Sequence, residues 1–159
     1  MPRPITLALA AAAFLALAQM AFAADISRDQ YKTSVEPICQ ANTKANERIL
    51  KGVKAQVKQG KLRPAAVKFN KAGLALKKTY NQLRALPQPT ADEAKLAKWL
   101  AYVKTEADLF VKVGKKLKAG KKGAAQTLVN KLTTNANQAN ATVLAFNFRY
   151  CRFEPSKFT

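Results

Sequence analysis

Residues 90–117 read TADEAKLAKWLAYVKTEADLFVKVGKKL. Within this stretch Leu96, Trp99, Leu100, Val103, Ala107, Phe110, Val111 and Leu117 recur at steps that return to one face of an α-helix. The stripe is narrow, and Ala107 and Gly114 within it would let a neighbouring helix approach closely. Thr90 and Glu93 have the spacing of a capping box, which is expected to start the helix. An amphipathic helix of this length must bury its stripe against other elements. The fold class therefore depends on whether the flanking sequence has the same period.

It does on both sides. Upstream, Ser27 and Gln30 form a capping box, and Tyr31, Val35, Ile38, Asn42, Ala45, Ile49, Val53 and Val57 step by four and three to about Gly60. Lys44, Lys51, Lys54 and Lys58 fall on the opposite face, and Pro37 is expected to kink or break the start of this helix. A second helix follows Gly60, with Pro64 in its first turn and Phe69, Leu76, Tyr80 and Leu83 on one face; Val67 and Leu74 point elsewhere. Leu86-Pro87-Gln88-Pro89 stops it before the stretch quoted above. After Gly120-Lys121-Lys122-Gly123, a last helix is expected to carry Leu128, Leu132, Ala136, Ala139, Val143, Phe146 and Tyr150 inward and Asn130, Asn137 and Asn140 outward. Four amphipathic helices with short breaks predict an all-α, up-down-up-down four-helix bundle. GKLRPAAVKFNK at 60–71 and GKKGAAQTLVNK at 120–131 also share five of twelve positions at a spacing of sixty, a hint of a repeated hairpin.

The N-terminus has the pattern of a secretory signal: Arg3, an apolar run from about Ile5, and the small-x-small site Ala21-Phe22-Ala23. The expectation is cleavage between Ala23 and Ala24, leaving 24–159 as a single helical domain that is secreted to the periplasm or beyond. An uncleaved anchor is the competing reading. In an oxidising compartment the two cysteines, Cys39 and Cys151, are expected to form one disulfide, with free thiols or intermolecular pairing as the alternative. The topology agrees, because the end of a fourth helix lies beside the start of the first.

The chain has no histidine, so the commonest general base and the commonest metal ligand are both missing. Gly114 to Gly120 followed by Lys121 fails as a phosphate loop: five residues separate the glycines, no Ser or Thr follows the lysine, and no strand precedes it. The carboxylates are scattered, with Asp92-Glu93 at a helix start and Glu106 and Asp108 in mid-helix, where capping and solubility account for them. Asn140-Ala141-Thr142 matches a glycosylation acceptor but lies within the helical pattern. The C-terminal aromatics beside Arg149 and Arg152 resemble a single-strand nucleic-acid platform, but Phe146 and Tyr150 belong to the core stripe. Phe148 does not, and is expected to pack against the segment before the first helix. Neither a catalytic residue nor a cofactor or metal is expected.

Tyr31 through Cys39, LRALPQPTADEAKLAKWL at 83–100 and the cysteine near the chain end resemble a group of exported bacterial helical-bundle proteins with one cysteine near each end of the mature chain. The resemblance implies a disulfide-closed bundle without an assigned activity. This chain departs from that group in its charge: 28 basic against 9 acidic residues, a net +19, which becomes +18 once Arg3 is removed. Five lysines fall between Lys115 and Lys122. In the expected topology Lys58, Lys61 and Arg63 join Lys115, Lys116, Lys118, Lys121 and Lys122 at one end of the bundle. Such a cluster points to non-catalytic binding of anionic polymers or an anionic membrane surface. The alternative is a scaffold or carrier for an apolar ligand or a protein partner, with lysines serving solubility.

Overall fold

The computed structural model describes residues 25–154; the candidate signal segment and its cleavage site lie outside them. The described chain contains α1 (Arg28–Leu50), a short α2 (Val53–Lys58), α3 (Leu62–Leu83), a 3-10 turn at Thr90–Asp92, α4 (Glu93–Lys118), α5 (Lys122–Thr142) and a 3-10 turn at Leu144–Phe146. The long helices form the up-down-up-down four-helix bundle that the periodicity predicts, closed by a disulfide between Cys39 and Cys151 with Cα atoms 5.0 Å apart.

Local signals set the helix starts, with one exception. The Ser27 box forms in both directions: Gln30 N donates to Ser27 Oγ and Ser27 N to Gln30 Oε1. The expected Thr90 box does not form. Thr90 instead opens a 3-10 turn and donates its N–H to Asp25, while Asp92 becomes the N-cap residue of α4 with its carboxylate turned to Arg28. A bidentate contact with a guanidinium outweighs one cap bond. Arg28 holds the Asp92 carboxyl below its ordinary range, chiefly by hydrogen bonding.

Three expectations about the first and last helices are corrected. Of the kink or break expected at Pro37, the break does not occur: α1 runs through it from Arg28 to Leu50. Pro37 and Thr33 are both exposed, so the Thr33 carbonyl that loses its N–H partner can be hydrated. The helix breaks instead at Gly52, whose φ of +75° is left-handed, and a separate α2 starts at Val53. The most buried stripe of α1 is Tyr31, Val35, Cys39, Asn46 and Leu50, rotated slightly from the expected one; Ile38 and Ile49 are half-buried. Finally, α5 ends at Thr142, not near Tyr150. Beyond it Asn147 adopts φ +48° and the chain folds back across α1.

The α3–α4 pair packs closest. A Cβ on Gly73 would lie 2.9 Å from the Ala107 carbonyl oxygen, and one on Gly114 2.9 Å from that of Ala66. In an uncrowded helix Gly→Ala stabilises by about 1 kcal/mol. Here Gly114→Ala is expected to destabilise by about 1–3 kcal/mol, because backbone must move to admit the methyl group. A urea midpoint that rises in the variant would show that the helices have room to spare.

The hint of a repeat extends into the packing. Gly60 and Gly120 share φ +73°, and both turns bond alike: Lys61 N to Gln56 O and Gly60 N to Val57 O, then Lys121 N to Lys116 O and Gly120 N to Leu117 O. This is the Schellman arrangement, which needs a left-handed residue after the helix. Buried positions recur at the same offset: Cys39 and Trp99, Asn46 and Glu106, Leu50 and Phe110, Val53 and Val113, Phe69 and Val129.

Candidate functional site

The helices pack in the sequence α1–α3–α4–α5, while α1 and α5 scarcely touch directly. A seam is left between those two, and different groups occupy it at each level.

At the end holding the start of α1 and residues 143–154 the seam is filled. Residues 143–153 lie in it, with Phe146 and Phe148 buried against Tyr31, and Phe148 5.5 Å from Trp99 between ring centroids. Phe148 thus packs on Tyr31 of α1 and Trp99 of α4, beside Phe146. Glu36 accepts the backbone N–H groups of Arg149 and Tyr150, and the Asn140 side chain exchanges two hydrogen bonds with the Phe153 backbone. Asn140 is therefore not an outward-facing residue, and its amide is engaged with the tail. Burial pushes the Tyr31 hydroxyl up to about 12.

Midway along, Glu106 on α4 is 1% exposed. Its Oε2 accepts a 2.6 Å hydrogen bond from Asn135 Nδ2, which also donates to the Tyr102 carbonyl. Burial raises the Glu106 carboxyl to about 7, with the Asn135 bond acting in the opposite direction. The group borders a cavity of about 60 Å³ lined also by Asn42, Asn46, Glu47, Arg152 and Glu154. The Asn46 Oδ1 has no protein hydrogen-bond partner. A polar space of that size has room for water. The expectation that Glu106 is a solubilising mid-helix acid is overturned. Its spacing from Trp99, Val103, Phe110 and Leu117 was the available signal, since it falls on the same helical face.

At the opposite end the seam is open. Val53, Val57, Phe69, Val113, Leu117, Ala125 and Val129 wall a cleft of about 190 Å³, and Lys54, Lys58, Lys122 and Gln126 complete its lining. The break at Gly52 helps create it, because α2 packs chiefly on α3.

The predicted cationic residues distribute around this end. Arg63, Lys115 and Lys118 line a groove of about 540 Å³ between α3 and α4, together with Ala66, Val67, Asn70 and Gly114. Lys61, Arg63 and Lys118 border a second depression shared by the two Schellman turns. Lys58 and Lys122 sit at the apolar cleft, while Lys116 and Lys121 are exposed beside the α4–α5 turn. Between residues 48 and 91, and again between 109 and 153, the sequence has no Asp or Glu. Neither α3 nor α5 has an acidic residue in its first turn or a side-chain cap, so the positive ends of two helix dipoles add to the lysines. Val67 and Leu74 are 54% and 56% exposed and face solvent.

Among the described residues no helix is long and apolar enough to cross a membrane, and no group of three or more His, Cys, Asp or Glu could hold a metal ion. No family model, curated protein or solved structure matches this chain.

Proposed function

We propose that this is an exported, non-catalytic binding protein that engages polyanions through the lysine end of the bundle. Envelope polymers, anionic membrane surfaces and nucleic acid share the relevant chemistry, a dense row of negative charge. The observation that carries the reading is the meeting of the α2–α3 and α4–α5 turns around one depression, in two sequence segments without a carboxylate. Like charges crowded together repel unless a counter-charge is nearby, and a polyanion supplies one. The disulfide suits an oxidising compartment and so supports export. The group of exported disulfide-closed bundles that the sequence resembles accords with this.

Binding of this kind is sequence-independent and weakens steeply with salt. For duplex DNA as the probe, changing Lys115, Lys116, Lys121 and Lys122 to Gln is expected to reduce the slope of log affinity against log salt by about three to four, if each lysine meets a phosphate. The same change at Lys44, Lys51, Lys77 and Lys78, which are exposed along the sides, should reduce it far less. Equal effects from the two quadruple variants would make net charge alone responsible and remove the site.

A further inference from the structure

We infer that the cleft at the open end of the seam binds an anionic amphiphile with a single short alkyl chain, its chain against Val57, Phe69, Leu117 and Val129 and its acid group between Lys58 and Lys122. This goes beyond polyanion binding: it shares two cations with that surface but rests on the cavity.

Size sets the first limit. A cavity of about 150 Å³ is enough to take benzene. The cleft, at about 190 Å³, therefore holds a medium-length alkyl segment and is too small for the two chains of a membrane lipid. Chemistry sets the second. The walls are apolar side chains drawn from α2, α3, α4 and α5, and Phe69, Val113 and Leu117 are each at most 3% exposed. Charge enters from two elements: Lys58 is the last residue of α2 and Lys122 the first of α5. A neutral hydrocarbon would leave both ammonium groups without a partner in the ligand, and an inorganic anion would leave the walls uncovered. A molecule with an acid at one end and an alkyl chain at the other uses both features.

The contrast with the rest of the seam supports an occupant from outside the described chain. The same gap between α1 and α5 is filled by Phe146 and Phe148 at the end holding the start of α1. It borders the polar cavity at Glu106 in the middle. At the lysine end, apolar walls flank an accessible space.

The test is a titration of isotope-labelled protein with octanoate, read from backbone amide shifts. Saturable shifts are expected in α2 and the first turns of α5, with octan-1-ol at least about tenfold weaker. Inorganic phosphate should not reproduce them. The double change Lys58→Gln and Lys122→Gln should cut the preference for octanoate over octanol severalfold, Lys54 remaining in the lining, while leaving the apolar walls intact. Val57 is half-buried on the cleft wall, so Val57→Phe fills space without entering the packed core. It should weaken octanoate at least about tenfold and leave DNA binding unchanged. Equal affinity for octanol and octanoate, the same shifts from phosphate alone, or undiminished octanoate binding in Val57→Phe would each overturn the proposal.

Discussion

Replacing Cys39 and Cys151 together with alanine is expected to cost up to about 4–5 kcal/mol of stability, the largest effect of any change considered. The bond closes a span of 112 residues, and its loss returns that much chain to the entropy of the unfolded state. Both sulfurs are buried, so the cavities left by alanine add to the cost. The tail would not come free at once. Glu36 still holds the backbone at Arg149 and Tyr150, and Asn140 still holds that of Phe153. Without the covalent tie these bonds must oppose the fraying of a C-terminal segment on their own. Thermal unfolding of the oxidised protein and the double alanine variant gives the comparison. At about 3–5 °C per kcal/mol for a domain of this size, a drop of 10 °C or more is expected. An unchanged midpoint would mean that the tail contributes little to the bundle.

The second large effect is a pH dependence centred on Glu106. Its carboxyl is held at about 7 in the fold, against 4.5 for the free group. The native state therefore binds this proton more tightly than the unfolded state. The contribution is fully present below about 4.5 and is lost as pH rises through about 7, and the gap corresponds to about 3 kcal/mol. Glu47, Glu154 and Arg152 line the same cavity, and every exposed carboxylate also changes the net charge on acidification. The measurement is accordingly a difference, wild type minus Glu106→Gln, in urea midpoints at pH 5 and pH 8. Glutamine can still accept the Asn135 bond but has no charge to desolvate. The variant is expected to be more stable than wild type at pH 8 and to lose this advantage at pH 5. Parallel pH profiles for the two proteins would show that Glu106 ionises at its ordinary value. Asp92 acts in the opposite direction and in another range. Its carboxyl is lowered by Arg28, so its contribution is present above its ordinary value and lost in more acidic solution.

Sequence alone was enough for the properties that depend on a few neighbouring residues. The Ser27–Gln30 box, the turns at Gly60 and Gly120 and the inward stripe of α4 involve contacts within about one helical turn, so the sequence carries both partners side by side. The cysteine pairing was also legible, because the bundle topology expected from the periodicity brings the two cysteines together. Tertiary structure decided whatever depends on what lies across a gap. Thr90 lost its cap because Asp92, two residues on, met an arginine from another helix. The periodicity of α5 runs on to Tyr150, yet the helix stops at Thr142 because Phe146, Phe148 and Cys151 are worth more in the seam than in one more helical turn. Glu106 reads as one more polar residue on a charged helix, and only the packing of α1, α4 and α5 buries it. The cleft had no local signal, since its walls come from four helices and its existence rests on α1 breaking at Gly52. A helical period fixes which side of a helix turns inward, but whether the facing space is filled, polar or empty depends on segments far apart in the chain.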